Sequence, residues 1–221
     1  ARLSAFVNEV ETHSPFRKKL LPEVSAMFTE LAPYAGFGMK LVFGNVWLFG
    51  PVLKAVMPAI SAQAGAMLKT TIAFTVQKGS DAYNVLPQEA YVGANMRFIP
   101  HQGEKESLEI IKKVAGKYGL ETEVLHANDY TPPVDIHGEA FHLVEQTIAD
   151  TFPGLPSSPY VMTGATDAQF YQPICKSCIR FAPVIYGPEQ MKGMHGLNEN
   201  IEYNCLPGAV RFYKNLIRAE K

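Results

Sequence analysis

The chain has 221 residues, of which 47% are hydrophobic and 19% charged, with 20 basic and 21 acidic side chains and a formal net charge of -1. That composition excludes a disordered or collagen-like chain and supplies enough apolar material for one large domain or two small ones. Lys and Arg are scattered along it, so no basic stripe marks a nucleic-acid partner, and none is expected.

In chain order, residues 2–31 predict a helix. Leu3, Phe6, Val7 and Val10 recur at helical spacing, and Leu20, Leu21, Val24, Met27, Phe28 and Leu31 follow. Pro15 and Pro22 divide the segment in two. Residues 36–60 are unusually apolar. The uncharged run from Leu41 to Leu53 is 13 residues long, short of the roughly 20 that cross a bilayer. Gly44, Gly50 and Pro51 interrupt it. A buried helical insertion at a subunit contact is the expectation; association with a membrane surface is the alternative, and no membrane partner is expected.

Past Leu68 the period changes. Residues 69–77 (KTTIAFTVQ) and 90–99 (AYVGANMRFI) predict strands, and residues 104–118 an amphipathic helix stopped at Gly119. Residues 121–126 (ETEVLH) predict a third strand, making a β-β-α-β part of a small α+β sandwich. Tyr130-Thr131-Pro132-Pro133 reads as a linker. Beyond it, residues 135–152 predict a helix, 160–163 a strand, 179–185 a strand and 207–218 a closing helix. This half reads as the tail of an α/β domain with a parallel-type sheet.

Three cysteines, Cys175, Cys178 and Cys205, are too few for a disulfide framework and suit a reducing compartment. Cys175 and Cys178 form a C-x-x-C with no second pair to complete a structural zinc site, and read as two thiols. No Asn-x-Ser/Thr sequon occurs. A cytoplasmic location is the expectation. The chain begins at Ala1, which suggests a processed product or a fragment.

Four short motifs carry chemistry. Asn84 stands on a turn before the strand that contains Arg97. Arg offers a bidentate fork and Asn a directional donor, so the pair can grip a carboxylate; a turn Asn and a surface Arg is the plainer reading. Gly164, Ala165, Thr166 and Asp167 follow a predicted strand. That turn can line a substrate cleft, or it can be a capped helix start. His195 lies between Gly193 and Gly196, about 30 residues further on. It is a candidate metal ligand or an ordinary loop histidine. Glu199 can support His195 by a hydrogen bond or stand exposed as a solvated carboxylate.

Taken in order, Asn84-Val85-Leu86-Pro87, Arg97 with Pro100, Gly164-Ala165-Thr166-Asp167-Ala168 and Met194-His195-x-x-Asn198-Glu199 resemble the di-zinc metallopeptidase family of glutamate carboxypeptidase, the aminoacylases and the Gly-X carboxypeptidases. The apolar insertion resembles the Gly-X carboxypeptidase branch. The resemblance implies a small α/β-sandwich lid, ferredoxin-like with an antiparallel sheet, at residues 1–129, lacking its first strand and carrying a helical insertion near residues 32–66. Residues 130–221 become the C-terminal part of an α/β catalytic domain. It implies a homodimer through the lid and a peptide or N-acyl amino acid substrate with a free carboxylate. Two zinc ions belong to the intact parent. His195 becomes the terminal zinc ligand, Asn84 and Arg97 bind the substrate carboxylate or the oxyanion, and residues 164–167 line the cleft.

The departures are as informative. The family's His-x-Asp motif, bridging Asp, Glu-Glu pair and further acidic ligand are absent, and Gln169 stands where the family often has Arg. The lid's Gly-Gly-His-Ser segment is expected just before Ala1. The expectation is a chain that binds no zinc by itself, contains no catalytic residue and is inactive alone. A non-catalytic dimerisation or binding module derived from the lid is the alternative.

Overall fold

The structure, a computed structural model, describes residues 1–60 and 62–220. The chain divides into two compact units, Ala1–Pro133 and Val134–Lys221. Its class is mixed: among the described residues, helices combine with one small antiparallel sheet.

In the first unit, the helical segment expected over 2–31 forms two helices, α1 (Arg2–Thr12) and α2 (Pro22–Leu31), divided as expected around Pro15 and Pro22. Pro22 takes the first helical turn of α2, where its missing N–H is no loss. The segment between the helices is held by tertiary bonds instead: Arg17 N–H donates to Gln102 Oε1 at 3.1 Å, and Lys19 N–H to the Leu68 carbonyl at 2.8 Å.

Strands β1 (Thr71–Lys78) and β2 (Tyr91–Arg97) pair antiparallel, Thr71 opposite Arg97 and Lys78 opposite Tyr91. The register shifts between Phe74 and Val76, so Thr75 is the extra residue of a bulge. Gly93 faces Val76, and a Cβ at 93 would sit 3.1 Å from the valine Cβ, close enough that the valine would have to shift by a few tenths of an ångström. Helix α6 (Glu104–Lys117) returns across the sheet and packs with α1 on one face of it. Phe6, Val10, Val114 and Ala115 are buried there against Ile72, Phe74 and Val92. Phe6 meets Phe74 edge-on, with ring centroids 5.6 Å apart. Each fully buried side chain of this kind contributes about 1.5–3 kcal/mol.

Helix α6 ends as its sequence predicts. Gly119 adopts a φ of +60°, its N–H bonds the Gly116 carbonyl, and Leu120 N–H reaches back to Ala115. That pair of bonds is a Schellman stop. The helix start has no capping side chain of its own; Asp129 Oδ1 accepts from Glu104 N–H at 2.9 Å and brings a negative charge to the positive end of the helix.

The third strand expected at residues 121–126 does not form. The stretch is exposed and, among the described residues, pairs with nothing. Alternation alone cannot make a strand, because its N–H and C=O groups need a neighbouring ladder.

Between α2 and β1 lie α3 (Phe37–Gly44), α4 (Val46–Ile60) and the short α5 (Ala62–Ala66). The helical character expected here is observed, and within one chain the segment is buried only in part. Val46, Gly50, Leu53 and Met57 turn inward on α4, while Trp47, Leu48, Val52, Val56 and Ile60 are exposed. No single described helix is long and apolar enough to cross a membrane.

The second unit is built around α7 (Glu139–Thr151) and α10 (Leu206–Ala219). Phe212 and Ile148 are buried, and Asn215 Nδ2 donates to Thr151 Oγ1 at 3.0 Å. Gly208 lets the Phe152 ring approach, since a Cβ there would lie 2.9 Å from it. Two short helices, α8 (Ala168–Tyr171) and α9 (Pro188–Gly193), sit between. The strands expected at 160–163 and 179–185 are absent: the described residues of this unit contain no ladder. Phe181, from the second of these segments, packs its ring on Phe212 at 4.8 Å instead. Pro183 also removes a donor that a central strand would need.

Candidate functional site

His195 lies in the loop that follows α9. Helix α9 starts at Gly187-Pro188, and Gln190, at its third position, folds back so that Oε1 accepts the Gly187 N–H at 3.1 Å. The same amide donates through Nε2 to Asn200 Oδ1 at 3.2 Å. Asn200 in turn donates to the Asn198 carbonyl at 2.6 Å. Gln190 is 9% exposed, so one buried amide joins the start of α9 to the far end of the loop. Gly193 allows this closure: a Cβ there would stand 3.2 Å from the Asn198 carbonyl oxygen and 3.4 Å from the Glu199 Cα.

Within that closed loop His195 and Asn198 both have φ of 59°, in the left-handed region. Asn and His visit it more readily than most residues, yet it still costs energy relative to an extended or right-handed backbone. The imidazole of His195 is exposed and hydrogen-bonded to nothing among the described residues. Glu199 is exposed as well, and no hydrogen bond joins it to His195 among the described residues.

The Gly164–Asp167 turn leads into α8. Gln169 N–H bonds the Thr166 carbonyl and Phe170 N–H the Asp167 carbonyl, at 3.1 and 3.0 Å. Asp167 occupies the N-cap position but its side chain caps nothing. Thr166 Oγ1 instead accepts a hydrogen bond from Arg180 Nε at 3.1 Å. The guanidinium thus stands beside the turn. Nearby, burial pushes the Cys178 thiol up from its usual range, Cys175 adds to this and Arg180 opposes it. Cys178 is therefore a protonated thiol at neutral pH, and a poor nucleophile.

Asn84 is exposed on the turn between the strands, and Arg97 closes β2, opposite Thr71. These two belong to the first unit; Gly164, Ala165, Thr166, Asp167, His195 and Glu199 belong to the second. A depression of about 260 Å³ beside β1, lined by Val7, Phe74, Val76 and Val92 among others, contains none of them.

The donor set does not fit a zinc pair. Among the described residues no group of three or more His, Cys, Asp or Glu side chains converges on a point. His195 offers one nitrogen, and zinc takes four ligands. Sequence reasoning passed over Gln190, Asn200 and Arg180. The first had a signal, since Gly-Pro-x-Gln is a helix-start pattern with the reciprocal amide at its third position. Asn200 and Arg180 act through contacts that no local pattern encodes.

Comparison with known proteins adds a second line. Residues 22–219 match the model of the peptidase family M20/M25/M40. The chain is 33% identical over 194 residues to the N-fatty-acyl-amino acid synthase/hydrolase PM20D1 of Xenopus tropicalis, covering 87% of this chain and 38% of that protein. It is 24% identical over 217 residues to the probable carboxypeptidase S-like 2 of Dictyostelium discoideum, covering 98% of this chain and 41% of that protein. A succinyl-diaminopimelate desuccinylase of Xanthomonas campestris is 26% identical over 153 residues, covering 64% of this chain and 36% of that protein. The chain thus spans about two fifths of the length of these curated relatives. No solved structure matches it significantly.

Proposed function

The chain belongs to the peptidase family M20/M25/M40, and from that premise we propose that it supplies the substrate-gripping part of a metal-dependent amide hydrolase acting on N-acyl amino acids or peptides with a free carboxylate. The observation that carries this reading is the family match across residues 22–219, which includes Asn84, Arg97, the Gly164–Asp167 turn and His195. The names of the relatives, an acyl-amino acid hydrolase and a carboxypeptidase-like protein, support an amide bond next to a free carboxylate as the target.

On this reading Arg97 forks the substrate carboxylate and Asn84 donates its amide to the same group or to the oxyanion that develops on the scissile carbonyl. Thr166, held by Arg180, shapes one wall of the cleft. His195 contributes one nitrogen to a metal site of the intact enzyme, for which two zinc ions are proposed. The remaining ligands and the general base are not among the groups described here, so the isolated chain is proposed to be inactive.

Two measurements test this. In the enzyme that carries this sequence, Arg97→Ala should raise KM for an N-acyl amino acid by about 10- to 100-fold, the worth of a charge-assisted hydrogen bond. The methyl ester of the same substrate should be unaffected. An equal loss on both substrates would overturn the role of Arg97. For the isolated chain, elemental analysis should find far less than one zinc per chain and no hydrolysis. Two zincs per chain, with activity lost in His195→Ala, would overturn the proposed inactivity.

A further inference from the structure

Helix α4 is apolar on both sides. Its inward positions Val46, Leu53 and Met57 pack within the first unit. Its outward positions fall in two ridges at i, i+4 spacing, Leu48-Val52-Val56-Ile60 and Trp47-Pro51-Ala55-Ala59. No polar residue interrupts either ridge. A helix that merely roofs a soluble core carries polar side chains on its outer side. Here Trp47 is 81% exposed and Ile60 67%, and Phe37, on the neighbouring α3, is 88% exposed.

Charge selects among the surfaces that can cover this face. Residues 31–66 contain no Asp or Glu, and Lys40 and Lys54 are their only charged side chains. A second copy apposed through the same face would set these like charges against each other. An anionic lipid headgroup layer pairs with them and takes up the apolar ridges below.

Length and bend select the orientation. α4 has 15 residues, about 22 Å of helix, against a hydrocarbon core of about 30 Å. α3 would add length, but its axis turns by 109° from that of α4. Two short helices at that angle suit an interface plane, with an indole at headgroup depth.

We propose that α3 and α4 form a docking face for an anionic phospholipid bilayer, lying in its interface with Trp47, Leu48, Val52 and Phe37 as the inserted side chains and Lys40 and Lys54 as headgroup contacts. The proposal stands on these helices alone and does not depend on the hydrolase reading.

Trp47 is the single tryptophan of the chain, so its emission reports this face directly. The full chain should float with vesicles of mixed phosphatidylcholine and phosphatidylglycerol, and its emission should shift to the blue on binding. The doubly substituted Leu48→Glu/Val52→Glu chain should bind at least about 10-fold more weakly. Its circular dichroism should be unchanged, because both positions point to solvent. Lys40→Gln/Lys54→Gln should weaken binding to the anionic vesicles and leave any residual binding to pure phosphatidylcholine as it was. Absence of flotation with the anionic vesicles would overturn the proposal, as would equal binding by the Glu-substituted chain. A blue shift that follows chain concentration without vesicles, with a dimer in sedimentation, would overturn it in favour of a second copy.

Discussion

Gln190 donates to Asn200 across the base of the loop that carries His195, Nε2 to Oδ1 at 3.2 Å. Its other amide atom accepts from Gly187 N–H at 3.1 Å. Both polar ends of one buried side chain are therefore used, and the loop is closed without a disulfide or an ion pair at this link.

Replacing Gln190 by Ala removes both bonds and leaves the Gly187 N–H without its acceptor. The expected cost is about 1–3 kcal/mol in urea unfolding followed by circular dichroism. Gln190→Glu keeps the acceptor and loses the donor, so it should fall between. Hydrogen exchange at the Gly196 amide, which bonds the Gly193 carbonyl at 2.9 Å, should quicken in both variants. An unchanged Gly196 amide in Gln190→Ala would show that the loop is held by something else.

His195 presents a second test, in which stability and function should part. Its φ of 59° is tolerated by Asn and Gly and resisted by β-branched side chains. His195→Asn should leave stability within about 0.5 kcal/mol, whereas His195→Val should cost about 1–2 kcal/mol. Both remove the proposed metal ligand, so both should abolish activity of the intact enzyme. Equal stability of the Asn and Val variants would remove the case for strain at this position.

The elements that were legible in the sequence are those whose signals agree. α6 combines helical periodicity with a Gly119 stop, and the structure places its end at Lys117 with Gly119 in the left-handed region. β1 and β2 were legible because each has the other to pair with. The segments at 121–126, 160–163 and 179–185 have suitable residues, but pairing is a property of two segments and cannot be read from one. The exposure of α4 was hidden for a related reason: periodicity shows which residues avoid water, not what covers them. At the site, the His195 loop was visible through its flanking glycines, while Arg180 reaches Thr166 from 14 residues away with no local trace.

A buried polar knot in the first unit should behave non-additively. Thr70 Oγ1 and Ser107 Oγ lie 3.0 and 2.9 Å from the Gln102 carbonyl oxygen and 3.2 Å from each other. Each hydroxyl has one proton, so the three contacts cannot all be hydrogen bonds at once. Either hydroxyl alone can satisfy the carbonyl. Thr70→Val and Ser107→Ala should each cost about 1 kcal/mol, and the double variant should cost more than their sum by about 0.5–2 kcal/mol, because only then is the buried carbonyl left without a side-chain donor. Simple additivity in a double-mutant cycle would mean that the carbonyl is satisfied otherwise.

The contact between α1 and the end of α6 should give stability a dependence on pH at both extremes. The Tyr118 hydroxyl donates to Glu9, and Lys117 Nζ lies 2.9 Å from the other carboxylate oxygen. The Tyr118 bond, then Lys117, hold the Glu9 carboxyl below its usual range. A carboxyl depressed in the folded state adds stability that is present above its unfolded pKa and is lost as pH falls through the folded value. The same bond pushes the Tyr118 phenol up. An acid raised in the folded state adds stability that is present below its unfolded pKa and is lost as pH rises through the folded value. Glu9→Gln should therefore flatten both limbs of a melting-temperature profile, since it removes the acid titration and the largest cause of the Tyr118 shift, and Tyr118→Phe should flatten both as well, since it removes the alkaline titration and the largest cause of the Glu9 shift. An acid limb that survives unchanged in Tyr118→Phe would show that Lys117 alone sustains the shift.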